Sequence, residues 1–502
     1  MTVQQKAFKS RRRYNQWVTN QTLEDFALRY TPVSARRWSA KRVVMTALSA
    51  ITFLALEAIG GALTLTYGFN YVVVAVILVS IIIFALSMPI AINAAKNGLD
   101  IDLLTRGAGF GYLGSTVTSL IYASFTFIFF ALEAAIMAMA LNMLFGLPLH
   151  FGYLIGSVVV IPLVTWGFTF ISRFQQFTQF CWLALQLLPF IFILIREHHV
   201  LQNWIDFPGF ITARDGSFDF LQLGAVCSVL LSLVSQVGEQ VDQVRFLPKP
   251  QHPARWRWYG AVIAAGPGWV VIGAIKILLG SFLAVLAFNY GLGAELASEP
   301  THMYLVAFSY VTHSSSTLLA LTGIFVVLSQ LKINVTNAYA GSIAWSNFFL
   351  RLTHRHPGRV VWLFFNVGIA LLLMELGVYR VFEDILGIYA VAATSWLGSV
   401  VADLTLNKWL KLRPAEIEFR RAYLYDINPV GIGSMTLAML CGLSAWMGWL
   451  GHPLQVFASM LSLCLTFITA PFIAWLTRGR YYFSRTPVQV TATECCVCGN
   501  YF

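Results

Sequence analysis

Leu54-Ala55-Leu56-Glu57-Ala58-Ile59-Gly60-Gly61-Ala62 lies inside one apolar run of the chain. Leu233-Val234-Ser235-Gln236-Val237-Gly238-Glu239-Gln240-Val241-Asp242 lies inside another. Both stretches put carboxylates and glycine where a plain membrane helix carries neither. A charge at the centre of a bilayer costs about 2.5–3.5 kcal/mol on the more conservative scales, so such residues face a cavity or a partner. The runs are the first and the sixth apolar segments, five apart. Matching interruptions in two halves of a chain point to a transporter built from an inverted repeat. Unwound backbone at such a break frees N–H and C=O groups to bind a ligand and a cation, which lipid would forbid. Close helix contact would also explain Gly60-Gly61. It would not explain Glu57 or Glu239.

Composition agrees with a membrane bundle. Hydrophobic residues make up 58% of the 502 and charged residues only 11%, against about 25% charged in a soluble domain. Twelve apolar segments can be read, at about 43–67, 70–93, 116–145, 151–171, 176–196, 221–246, 258–290, 316–345, 359–378, 382–403, 430–449 and 454–476. Most exceed the roughly twenty residues needed to cross as a helix. None has the short alternating pattern of a barrel strand. The formal net charge of +11 is not a nucleic-acid patch, because the basic residues sit in short clusters between apolar runs. Arg196, Arg214 and Arg380 fall on one side and Lys276 and Lys332 inside spans; the rest of the 33 Lys and Arg fall on the other side. The positive-inside rule then makes both termini cytoplasmic. The reading is an all-α, multi-pass protein of the inner (cytoplasmic) membrane. It has a cytoplasmic segment 1–42, a core 43–403, a cytoplasmic linker 404–429, an added helix pair 430–476 and a tail 477–502. No cleavable signal peptide is expected before the first apolar run.

Candidate site residues come from helical spacing. Thr126, Phe129, Glu133 and Met137 share one face of the third segment. An aromatic ring with a carboxylate one turn on suits a flat ligand that stacks on Phe129 and donates N–H groups to Glu133. In the eighth segment Gln330, Asn334, Asn337 and Gly341 share one face, and Ser329, Lys332 and Thr336 the neighbouring one. A site role is expected for Asn337 and Lys332; interhelical hydrogen bonding accounts equally well for the others. Gln236 and Gly238 join the substrate-binding set with Glu57, Gly60 and Gly61. Glu239 and Asp242 join Lys332 as groups for a cation site or for coupling. Lys276 and Glu375 read as structural ion pairs or snorkelling side chains. Asp242 and Arg245 read as a helix-end pair or a gate latch. No metal-ligand spacing, phosphate loop or nucleophile elbow is present, so an enzyme is not expected.

Several stretches then resemble the nucleobase–cation symporter family, the purine–cytosine permease group. They are Glu24-Asp25-Phe26-Ala27-Leu28-Arg29-Tyr30-Thr31-Pro32 with Arg37-Trp38, Arg106-Gly107-Ala108-Gly109-Phe110-Gly111-Tyr112-Leu113-Gly114-Ser115, Asp242-Gln243-Val244-Arg245-Phe246, and Asn337-Ala338-Tyr339. The resemblance covers about 15–478 by order and spacing. It implies a LeuT-like five-plus-five inverted repeat with two added helices, and a planar nucleobase, allantoin or hydantoin as the solute. It implies that the ligand stacks between aromatic residues on spans 3 and 6, with its edge held from spans 3 and 8. Phe129, Glu133 and Asn337 match three of those places. The fourth, the span 6 aromatic, falls at Leu233, a departure that removes one wall. Sodium-coupled members of the family hold the cation with small hydroxyl residues on span 8. Lys332 falls at or beside that place, so its ammonium would substitute for sodium and coupling would use protons or be lost.

Cys495, Cys496 and Cys498 have the spacing of half a zinc or redox knuckle without its second half. An unstructured tail and the start of a cytoplasmic Cys-rich signalling module are both open. The second reading gives a rival function, a sensor that binds the solute and signals without moving it. No cofactor is expected beyond Na+ or H+ coupling. The expected partners are a small-molecule solute, the lipid bilayer and, for the sensor, a signalling module.

Overall fold

A computed structural model describes residues 25–28, 30–197, 199–211, 218–250, 255–354, 357–377 and 382–484. Cys495, Cys496 and Cys498 lie outside the described residues, as do Glu24, Arg29, Arg214 and Arg380. The described chain is helical, without β-strands among the described residues. Nine helices among them are long and apolar enough to cross a membrane. The three other apolar segments form shorter helices.

The first segment is two helices, α1 (Ala40–Ser49) and α2 (Ala55–Tyr67). Then come α3 (Phe69–Asn97), α4 (Ile101–Thr105), α5 (Ser115–Phe145), α6 (Leu149–Thr165), α7 (Gly167–Arg196) and α8 (His199–Ile205). The sixth segment is α9 (Phe220–Leu231), a tighter turn at Ser232–Ser235, and α10 (Gln236–Val244). It is followed by α11 (Arg255–Ala265), α12 (Trp269–Asn289), the short α13 (Ala294–Ser298) and α14 (Pro300–Ser309). The long α15 (Ser315–Thr353), α16 (Arg359–Glu375) and α17 (Phe382–Ala402) complete the core. Next come α18 (Pro429–Trp446), α19 (His452–Val456) and α20 (Ala458–Leu476).

The first segment breaks and the sixth only tightens, and the glycines cause neither. The chain leaves helical geometry over Ile51–Phe53, upstream of Gly60-Gly61, and tightens at Ser232–Ser235, upstream of Gly238. All three glycines are helical, and each marks a close approach instead. A Cβ on Gly60 would lie 2.0 Å from the Ile277 carbonyl oxygen, and one on Gly280 would lie 2.3 Å from that of Glu57. α2 and α12 therefore touch backbone to backbone. A Cβ on Gly238 would lie 2.4 Å from the Tyr122 ring. Lack of a side chain here permits contact rather than unwinding.

The Arg106–Ser115 motif seats the chain that joins α17 to α18. Gly109 and Gly111 take φ of +81° and +82°, a region that favours glycine. The turn offers the amides of Tyr112 and Leu113 to the carbonyls of Tyr425 (2.9 Å) and Asp426 (2.7 Å), and the Phe110 carbonyl accepts from Asn428 N–H at 3.0 Å. Arg106 and Arg421 stand 4.9 and 4.5 Å from the Tyr112 ring, within cation–π range.

Candidate functional site at the helix breaks

The break in the first segment is held by side chains from two other helices. Thr52 Oγ1 donates to the Ser329 carbonyl of α15 at 2.8 Å. The Ala55 amide, the first of α2, donates to Glu133 Oε1 of α5 at 3.3 Å. The start of a helix has N–H groups with no partner of their own and a positive dipole end, which suits a carboxylate. The other oxygen, Glu133 Oε2, is buried and has no hydrogen-bond partner. Gln330 lies beside Glu133, and its amide atoms make no close hydrogen bond.

Phe129, one turn before Glu133, packs on Phe125 with ring centroids 4.5 Å apart. Phe125 in turn stacks on Tyr389 of α17 at 6.0 Å and 27°. Tyr389 lies next to Ser235 in the turn between α9 and α10. It donates to the Ile121 carbonyl at 3.0 Å. Just past that turn Gln236 Nε2 donates to Glu239 Oε2 at 2.7 Å, while Glu239 Oε1 has no partner. Asn337 donates to Asn334 Oδ1 at 3.1 Å, and Asn334 to the Phe130 carbonyl at 3.3 Å. Phe129, Glu133, Gln236, Glu239 and Asn337 are all buried, so the site is closed. Leu233 is buried too and lines a narrow apolar groove with Val76, Trp269 and Ile277.

Glu57, Gly60 and Gly61 belong to a different neighbourhood. Glu57 Oε1 accepts from Lys276 Nζ at 2.5 Å and from the Tyr304 hydroxyl at 3.2 Å. Gly60 and Gly61 face α12 and Met303. Lys332 pairs with none of the carboxylates. Its Nζ donates to the Gln175 carbonyl and to Thr178 Oγ1, both on α7 and both at 3.0 Å. Glu375 stands 4.0 Å from His150, both exposed.

A file of polar side chains along α7 was not singled out from the sequence. Gln175 Nε2 donates to the Lys332 carbonyl at 2.7 Å, Trp182 Nε1 to Ser329 Oγ at 2.8 Å, and Gln186 Nε2 to the Tyr304 hydroxyl at 2.7 Å. Gln175, Thr178, Trp182 and Gln186 are spaced three or four apart, so their common face was readable as a signal. Tyr304 and Tyr389 left no such signal.

Asp242 and Arg245 do not pair through their side chains. Asp242 Oδ2 accepts from the Tyr122 hydroxyl at 2.9 Å. Arg245 reaches instead to the carbonyls of Asp25 (3.0 Å), Phe26 (3.2 Å) and Asp242 (3.1 Å) and to the Tyr339 hydroxyl (3.1 Å). Asp100 lies 3.8 Å away. Asn347 adds a bond to the Ala27 carbonyl at 2.9 Å. The segment before α1 is thereby tied across α10 and α15.

Asp102, between α3 and α5, belongs to the same end of the bundle. It accepts from Ser119, which also accepts from Arg351 Nη1 at 2.9 Å. Burial pushes the Asp102 carboxyl up from 3.8 to about 7, assisted by Asp100 and opposed by Arg351. A carboxyl raised in the closed form binds an extra proton there, so closure is favoured in acid and weakens as pH rises through about 7. The expected result is that amide exchange at this end, corrected for intrinsic exchange, rises between acid and alkaline pH in the wild type. Asp102→Asn, which mimics the protonated form, is expected to remove much of that rise.

Among the described residues no group of His, Cys, Asp and Glu could hold a metal ion. No protein-family model matches the chain, and no curated protein is similar to it in sequence. Solved structures are similar in fold. Mhp1, a nucleobase-cation-symport-1 family transporter in a closed conformation with bromovinylhydantoin bound, aligns over 93% of this chain and 100% of its own, at TM-score 0.66 and 16% identity. A Na+-coupled sialic acid symporter in a substrate-bound outward-open state aligns over 92% and 93%, at 0.59 and 14%. A manganese transporter of Eremococcus coleocola aligns over 88% and 95%, at 0.55 and 11%. At these identities the likeness is one of architecture: the chain is similar in fold to the nucleobase–cation symporter Mhp1 and to other membrane transporters.

Proposed function

We propose that the chain moves a planar, hydrogen-bonding heterocycle of the nucleobase or hydantoin class across a membrane by alternating access, with cation coupling. The observation that carries this is Glu133. One of its oxygens holds the first amide of α2 and the other is buried without a partner, one turn from Phe129. A ligand with N–H groups on its edge satisfies that oxygen, and its ring fits the Phe129 face. Tyr389 supplies the second wall that Leu233 does not. Gln236, Glu239 and Asn337 complete the edge contacts, each released from its present partner. Mhp1, similar in fold, has a hydantoin bound, which supports the ligand class.

The same reading includes twelve spans as a five-plus-five repeat with two added helices. The divisions are 1–42, 43–403, 404–429, 430–476 and 477–502, with both termini cytoplasmic in the inner membrane. Lys332, tied to α7 by two hydrogen bonds, keeps its ammonium where a sodium ion would sit, so the coupling ion is a proton. The sensor reading has no observation in its favour.

Uptake of labelled uracil, cytosine, allantoin and hydantoin into proteoliposomes tests this. The wild type is expected to accumulate at least one of them without sodium. Phe129→Ala is expected to lower uptake about tenfold, the loss of one ring stack. Lys332→Thr is expected to lose sodium-independent uptake. A strict sodium requirement in the wild type would refute the role given to Lys332, and no uptake of any compound would refute the transport reading.

A further inference from the structure

Glu57 joins three helices of the bundle, α2, α12 and α14. It lies in the first turn of α2 and is completely buried. Oε1 takes Lys276 from α12 and Tyr304 from α14. Two residues earlier, the Ala55 amide is held by Glu133 of the candidate site. Glu57 and Glu133 are within electrostatic reach of each other and of Lys276. Glu57 Oε2 has no partner at all. Lys276 also lies 5.4 Å from the Trp182 ring centroid, so its charge has a second contact.

We propose that Glu57 is the proton-binding site of the coupling cycle, with the proton taken from the outer solution onto Oε2 and given up to the inner one. Protonation removes the carboxylate charge, and with it the attraction to Lys276 and the strength of the Tyr304 hydrogen bond. The hold of α12 and α14 on the start of α2 weakens together. Lys276 then has the Trp182 face, 5.4 Å away, as its remaining contact. Because Glu133 caps the same first turn, a ligand that engages Glu133 and a proton that engages Glu57 act on one element. Each then changes the affinity for the other by the same factor. A sodium ion does not fit this place. It needs several oxygen ligands, and the ammonium 2.5 Å from Oε1 repels it. A single unpartnered oxygen is enough for a proton.

The titratable groups around Glu57 are few. They are Lys276 from α12, Tyr304 from α14 and Glu133 from α5. Packed α3 carries no charged residue before Lys96 at its far end, and α9 carries only Cys227. Glu295 of α13 is exposed. His302 of α14 pairs with Glu299 at 2.8 Å.

The proposal rests on the transport reading for its consequence, but its test needs no substrate. Amide hydrogen exchange of α14 is followed in the full chain in nanodiscs between about pH 5 and pH 8, corrected for intrinsic exchange. Wild-type α14 is expected to exchange at least about fivefold faster at the acid end. Glu57→Gln is expected to hold the fast rate at every pH, Tyr304→Phe to lose the pH dependence, and His302→Gln to keep it. A flat wild-type profile, a transition that survives Glu57→Gln, or one that vanishes in His302→Gln overturns the proposal. Should Glu57→Gln fail to fold, a transition that survives Tyr304→Phe overturns it equally. A titrating α14 in a protein that takes up no heterocycle would support proton binding at Glu57 and remove the transport reading.

Discussion

Lys276→Met is expected to destabilise the protein more than almost any other single change, by about 3–5 kcal/mol, the usual cost of leaving one partner of a buried ion pair uncompensated. The partner here is Glu57, completely buried and 2.5 Å from the ammonium. Gly60 and Gly280 bring α2 and α12 into backbone contact on the same faces. The loss should be larger at alkaline than at acid pH, because a lone buried Glu57 sheds part of the cost by taking up a proton. Adding Glu57→Leu should recover most of the stability, since two apolar side chains often replace a buried pair without loss. Thermal unfolding in detergent at two pH values, for the wild type, both single variants and the double variant, checks all of this. A double variant no more stable than Lys276→Met would mean that the pair is not the source of the effect.

Arg245→Ala is the second large effect, and it acts on the opposite end of the bundle. The guanidinium is fully buried and spends its donors on two carbonyls of the segment before α1, one of α10 and the Tyr339 hydroxyl. Its removal leaves Asp100 without its nearest cation and unties residues 25–28 from α10. The expected cost is again about 3–5 kcal/mol, and amide exchange in residues 25–28 should rise at least about tenfold. Arg245→Lys should recover little of it. A lysine has the charge but not the planar fork that reaches acceptors on two elements at once. Full protection of residues 25–28 in Arg245→Ala would show that Asn347 and Phe168, which also hold this segment, are sufficient.

The sequence alone determined the class of the molecule and the depth of its polar residues. Apolar runs of membrane length are a one-dimensional property, because a helix satisfies its own backbone whatever lies next to it. The interrupted segments were legible for the same reason: Glu57, Glu133, Glu239 and Lys332 are conspicuous in hydrocarbon before any partner is known. Spacing also put Phe129 and Glu133 on one face, and they do share one.

Which charge meets which was decided only by the tertiary structure. Glu57 reads as a ligand group and is paired with Lys276. Lys332 reads as a substitute for a bound cation and is tied to Gln175 and Thr178 of α7. Asp242 and Arg245 are one turn apart, yet their side chains do not pair with each other. Helical periodicity gives the face on which a side chain stands. It says nothing of which helix is opposite, and pairs separated by 219 or 157 residues exist only once the bundle has closed. The glycines carry the same lesson. Gly60 and Gly238 stand near the breaks and look like their cause, but they are helical contact points. The chain unwinds instead where Thr52 and Ala55 find partners on α15 and α5, because a backbone group leaves its helix only where another element offers it a hydrogen bond.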